Sequence, residues 1–166
     1  LKKFKEDNIK EIVELGAGLG RDTVFLAKNK INVEALDYSS TAIKIIEKKA
    51  KDNNLSKLIS TKHFDIRNKL PYDDNSINGI FSHMLYCMAL TNSDIKKLND
   101  EILRVLKPGG INIYSVRNTN DGDYKKGIHR GEDMYENDGF IINFFSEKKV
   151  NSLLKGFKNL STTNFE

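Results

Sequence analysis

Short apolar runs alternate with amphipathic ones along the whole chain. EIVEL (11–15) reads as a short buried strand, and a helix follows it from about residue 21 to 28. INVEAL (31–36) is the second strand. Ser39 or Ser40 then caps a helix over TAIKIIEKKAKDN, where Ile43, Ile46 and Ala50 fall on one face. LISTKHF (58–64) is a third strand and NGIFS (78–82) a fourth. Ser93 caps the next helix, whose core face carries Ile95, Leu98, Ile102 and Leu106. Pro108, Gly109 and Gly110 stop that helix and turn the chain into INIYSV (111–116), the fifth strand. Strand and helix alternating at this spacing predict an α/β fold: a doubly wound, mostly parallel sheet with helices on both faces.

The segment 117–145 breaks the pattern. It is polar, contains glycine, and mixes histidine with aromatics, and it is longer than an ordinary connection. It is expected to be an irregular rim or a small lid, packed by Phe140, Phe144 and Phe145. Ser146 caps a last helix over EKKVNSLLKG, and a final strand is expected at about 159–165. One domain over residues 1–166 accounts for all of this.

Composition changes the picture only by exclusion. With 30% charged residues, 39% hydrophobic residues and a net charge of +4, the chain is ordinary for a globular protein. Its lysines are interleaved with acids and apolar residues at helical spacing, which reads as solvated helix surface rather than a nucleic-acid footprint. No apolar run is long enough to span a membrane. The single cysteine, Cys87, excludes an internal disulfide framework and reads as a packing residue in MLYCMAL. A reducing, cytoplasmic setting is expected, and no metal site. The chain opens on Leu1 rather than methionine, so its natural start is expected upstream.

Candidate chemistry gathers at the first strand–helix turn. Gly16, Gly18 and Gly20 sit where the first strand meets the first helix, and glycine weakens both elements. A sharp bend or a close approach to that backbone is implied, and helix-start N–H groups there suit an anionic or polar ligand group. Asp37 ends the second strand about twenty residues on, where an acid accepts ribose hydroxyls. The dinucleotide fingerprint wants a small residue where this chain has Arg21, which disfavours a dinucleotide. Asp65 follows the third strand and could accept from an adenine amino group.

Taken in order and spacing, ELGAGLG, ALDYS, HFDI, LPYDDNSINGIFSHMLYC and LRVLKPGG resemble the motifs of class I S-adenosylmethionine-dependent methyltransferases, over roughly residues 11 to 118. The stretch that follows resembles a small-molecule branch similar to the tellurite-resistance and type-11 methyltransferases. The resemblance implies S-adenosyl-L-methionine as cofactor and methyl transfer to a small-molecule acceptor. It also implies that Glu14 and the turn of Gly16, Ala17 and Gly18 hold the methionine moiety. Arg21 would face the cofactor carboxylate or cap local acids. Asp37 would take the ribose diol, and Tyr38 would flank the adenine. Asp65 and Ile66 would line the adenine pocket, and Ser82 would offer its backbone near the sulfonium. Lys107 to Gly110 would be a structural turn. The family sheet has seven strands, so this chain is expected to lack at least one C-terminal antiparallel strand.

On the acceptor side, His83 follows the fourth strand and reads as a base, a substrate contact or a spectator. Tyr86 has the same readings, with packing favoured. Arg117 and Asn118 at the end of the fifth strand, with His129, Arg130 and Tyr135 in the polar segment, are candidates to close over an acceptor. Two other readings stand beside methyl transfer: a non-catalytic S-adenosylmethionine-binding regulatory domain and an NAD(P)-dependent oxidoreductase. Arg21 opposes the latter.

Overall fold

Five parallel strands form the central sheet, in the order β3-β2-β1-β4-β5. They are β1 (Glu11–Leu15), β2 (Asn32–Asp37), β3 (Ile59–His63), β4 (Ile77–His83) and β5 (Leu106–Ser115). The computed structural model describes residues 1–164. A short helix α1 (Lys2–Glu6), which the sequence pattern does not announce, precedes β1 and buries Phe4. Helices α2 (Arg21–Lys28) and α3 (Ser40–Asp52) follow β1 and β2, and α4 (Asn92–Val105) precedes β5. One apolar layer joins Phe4, Leu26, Ile46 and Ala50 to Ile12, Val33 and Ala35 of the sheet. The other joins Ile95, Leu98, Ile102 and Val105 of α4 to Val13, Leu36 and Ile80. Both faces of the sheet are therefore covered, as an all-parallel sheet requires.

The helix starts follow from capping. Ser39 accepts from Ala42 N–H and opens α3. Thr91, not Ser93, opens α4: its hydroxyl accepts from Asp94 N–H while the Asp94 carboxylate accepts from Thr91 N–H. That reciprocal pair outcompetes a lone serine two residues on. The core face of α4 ends at Val105, and Leu106 already belongs to β5. Pro108, Gly109 and Gly110 do not separate helix from strand but lie inside β5, where the register against β4 slips between Ile77 and Gly79. A Cβ on Gly110 would lie 2.9 Å from the Lys107 carbonyl oxygen. The close backbone approach at this bulge explains the glycine.

Segment 117–145 is more regular than expected. It carries a three-stranded antiparallel sheet of β6 (Ile128–His129), β7 (Met134–Asn137) and β8 (Phe140–Asn143). Phe144 and Phe145 are buried as expected, but Phe140 is 74% exposed at the tip of the hairpin. The short helix α5 (Glu147–Ser152) follows, capped by Ser146. The final strand expected at 159–165 is not formed over residues 159–164, and Phe165 lies outside the described residues. The outer edge of β5 has no strand partner among the described residues. No helix among them is long and apolar enough to cross a membrane.

Asn143 fastens the small sheet to the segment before α4 and to Lys149 of α5. Its side chain is fully buried, donates to the Leu90 carbonyl at 2.7 Å and accepts from Lys149 Nζ at 2.6 Å. Asn143→Ala is expected to cost about 1–3 kcal/mol, since it leaves a buried carbonyl unpaired. Thermal unfolding of the variant checks this, and an unchanged melting temperature contradicts it.

Candidate functional site

The carboxyl ends of β1 and β2 are tied together by backbone and carboxylate. Gly16 and Ala17 N–H both donate to the Leu36 carbonyl, at 2.8 and 3.0 Å. Gly18 N–H donates to Asp37 Oδ2 at 2.7 Å, and Ser39 N–H donates to Asp37 Oδ1 at 2.9 Å. Asp37 is buried, so its carboxylate fixes the two loops relative to each other. Gly16 and Gly18 adopt φ of +67° and +54°, a left-handed conformation that side-chain-bearing residues rarely accept. Their surroundings differ. A Cβ on Gly16 would meet Leu85 Cδ1 at 2.7 Å, whereas one on Gly18 would meet nothing within 4 Å. Gly16 is thus pinned by its neighbour, while Gly18 faces open space beside Asp37.

Glu14, inside β1, is 2% exposed and accepts from Thr23 Oγ1 of α2 at 2.5 Å. Burial pushes its carboxyl up to about 7, and the nearby Asp22 and Asp37 push the same way, while the Thr23 hydrogen bond opposes them. A carboxylate held this way is well suited to a cationic partner, whose charge would favour the ionised form.

Tyr38 projects its ring into solvent, 74% exposed, and its carbonyl lies 2.6 Å from His63 Nε2. Asp65 is engaged by Arg67, which donates to it from its backbone N–H and from Nε, both at 3.0 Å. That guanidinium holds Asp65 below the usual carboxylate range. Ile66 is half-buried against the α4 side of the core. Arg21 faces outward and pairs with Asp22 at 3.2 Å, the local-acid alternative. Ser82 is fully buried with its hydroxyl unpartnered among the described residues.

Beyond β4 the chain turns sharply. Met84 takes φ +58° and leads into a 3-10 turn, Leu85–Cys87. Leu85 packs over Gly16, which brings this turn against the first loop. His83 Nδ1 lies 2.8 Å from Ser115 Oγ at the end of β5. Tyr86 is fully buried, packs against Tyr114 at 4.9 Å between ring centroids, and has no hydrogen-bond partner at its hydroxyl among the described residues. It packs in the core, and that burial raises its pKa.

The outer candidates are internally paired. Arg117 binds Asp121 and Asp123, each at 2.7 Å, and lies over the Phe144 ring. Asn118 bridges to Phe145 and accepts from Asn120 N–H. His129 stacks on Tyr135 and contacts the Glu132 carbonyl, and Arg130 pairs with Glu136. All of these contacts lie within segment 117–145.

Sequence reasoning missed Thr23 and Ser115. Thr23 acts through a contact with Glu14 nine residues back across the strand–helix turn, and Ser115 through one with His83 on the neighbouring strand, and neither carries a spacing signal. A concavity of about 380 Å³ also opens at the amino ends of the strands, lined by Glu11, Glu34, Ser60 and Asn78 among others. Chemistry in open α/β sheets gathers at the opposite, carboxyl ends, where the glycine turn lies.

A parallel sheet in this order, with a glycine turn clamped to an acid at its carboxyl ends, defines a Rossmann-like ligand-binding α/β domain. The family model described as a methyltransferase domain matches residues 12–110, more than half of the sequence, and the chain belongs to that family. The match ends before segment 117–145, so the narrower branch resemblance there is not part of it. Phosphoethanolamine N-methyltransferase 1 of Triticum aestivum is 38% identical over 102 residues, covering 61% of this chain but only 20% of that protein. A demethylmenaquinone methyltransferase of Clavibacter sepedonicus is 29% identical over 125 residues, covering 75% of this chain and 46% of that protein. The solved structure of an S-adenosylmethionine-dependent methyltransferase from Clostridium acetobutylicum superposes with a TM-score of 0.73 at 17% identity, covering 93% of this chain and 76% of that one, and shares its fold.

Proposed function

We propose that this chain binds S-adenosyl-L-methionine at the carboxyl ends of β1, β2 and β3 and transfers its methyl group to a small-molecule acceptor. The observation that carries this is the Gly18–Asp37 clamp beside buried Glu14, in a chain of the methyltransferase domain family. The residues fit the cofactor: Gly18 leaves open space next to a carboxylate with free lone pairs. Glu14 and the turn of Gly16, Ala17 and Gly18 would hold the methionine moiety. Asp37 would accept the ribose hydroxyls, Tyr38 would cover the adenine, and Ile66 would pack against it. Asp65 would reach the adenine amino group only with a lone pair that Arg67 leaves free.

The cofactor supplies an electrophilic methyl group on a sulfonium, so proximity and alignment are the protein's main contribution. The end of β4, from Ser82 to Leu85, and the end of β5 would border the acceptor. Phosphoethanolamine and demethylmenaquinone, named for two relatives, differ so widely in polarity that the shared segment does not specify the acceptor.

S-adenosylhomocysteine is expected to raise the melting temperature, because binding only to the native state stabilises it by about 2.7 kcal/mol at a hundredfold excess over Kd. A folded sample that shows no shift at saturating ligand contradicts the cofactor assignment. Turnover of labelled cofactor across a set of small acceptors separates an enzyme from a binding domain.

A further inference from the structure

The Ser115 hydroxyl occupies a junction between two groups. Met84 N–H donates to its oxygen at 3.2 Å and to the Ser115 carbonyl at 3.1 Å. His83 Nδ1 lies 2.8 Å from the same oxygen. A serine hydroxyl has one hydrogen to give and two lone pairs to fill. If Nδ1 carried a proton, the oxygen would accept twice and its own hydrogen would have no acceptor among the described residues. If Nδ1 is the lone pair, every group is used: Met84 N–H donates to Oγ, and the Ser115 hydroxyl donates to Nδ1. The imidazole proton then sits on Nε2 of the half-buried ring, and the side-chain hydrogen bond of His83 among the described residues is the one through Nδ1. The parallel register that pairs His83 with Ser115 brings Met84 N–H to Ser115, so the arrangement follows from the β4–β5 ladder.

We propose that Ser115 is a positioning residue that fixes neutral His83 as its Nε2–H tautomer. His83 then offers the acceptor space a hydrogen-bond donor rather than a basic lone pair. The assignment of the acceptor side rests on the methyltransferase reading, whereas the tautomer does not. On that reading His83 orients an acceptor through an oxygen lone pair, and the attacking atom loses any proton it carries without help from His83.

Two-bond proton–nitrogen correlation spectra of the ligand-free, nitrogen-15-labelled chain test this, at about two pH units above the ordinary histidine value. The His83 signals are assigned by their loss in His83→Gln. The expected result is a pure Nε2–H pattern in wild type, a shift toward a tautomer mixture in Ser115→Ala, and recovery in Ser115→Thr, which keeps the hydroxyl. An Nδ1–H or mixed pattern in wild type overturns the proposal, as does an unchanged pattern in a folded Ser115→Ala variant. Because no ligand is present, this outcome is independent of whether S-adenosylhomocysteine shifts the melting temperature.

Discussion

Asp37→Ala is expected to weaken S-adenosylhomocysteine binding by about 1.5–3 kcal/mol, roughly ten- to a hundredfold, through loss of charge-assisted hydrogen bonds to the ribose hydroxyls. The structure adds a second consequence. The same carboxylate accepts from Gly18 and Ser39 N–H, so the ligand-free variant is also expected to melt at lower temperature. Asp37→Asn separates the two effects, because its remaining oxygen can keep one backbone donor while the charge is gone. It should lose much of the affinity and less of the stability. Calorimetric titration with S-adenosylhomocysteine and thermal unfolding of both variants make the comparison. Affinity within error of wild type for both variants would remove Asp37 as the ribose ligand.

The inner part of the parallel sheet was legible because β1 and β2 are largely buried runs, each followed by a helix signal. EIVEL matches β1 residue for residue, and the helix from 21 to 28 matches α2. The small sheet was not legible. β6 spans only two residues and is exposed, and β7 has every residue half-buried, so no alternation between core and solvent marks it. Its order comes instead from Tyr124, Tyr135 and Phe144 clustering around charged pairs, which only the folded chain brings together. The same limit applies to Arg117 and Arg130, whose partners sit four to six residues away within the segment. Read from sequence, they are unattached cations near an acceptor; in the fold they are ties within a loop.

At the glycine turn the sequence signal had two causes folded into one. Close approach was expected from a ligand, yet at Gly16 it comes from Leu85, a residue nearly seventy positions on. Gly18 alone keeps the open space that the ligand argument needs. Asp37 was legible as an acid ending a strand and Glu14 through the family resemblance, but Thr23, which donates to Glu14, lies on the first turn of α2 and carried no signal of its own.

That contact leads to the last expectation, which concerns pH. The Glu14 carboxyl titrates near 7 in the fold against an ordinary value of 4.5, so the native state binds more protons than the unfolded state between those limits. Stability contributed by this group is therefore full below about pH 4.5, falls as pH rises, and levels off above about pH 7. The total change is about 3 kcal/mol, at roughly 1.4 kcal/mol per unit of pKa difference. Glu14→Gln cannot ionise and can still accept from Thr23 Oγ1, so this pH dependence should vanish. Melting temperatures measured from pH 5 to 8 should show the variant gaining on wild type as pH rises. Ligand affinity should run the other way. A cationic amino group beside Glu14 favours the ionised carboxylate, so S-adenosylhomocysteine should bind wild type progressively less well as pH falls below 7. The variant should bind weakly throughout, with a flatter profile. Parallel melting curves for the two proteins would show that Glu14 is ionised in the fold at ordinary values. A Glu14→Gln variant that binds S-adenosylhomocysteine as tightly as wild type at pH 8 would place the amino group elsewhere.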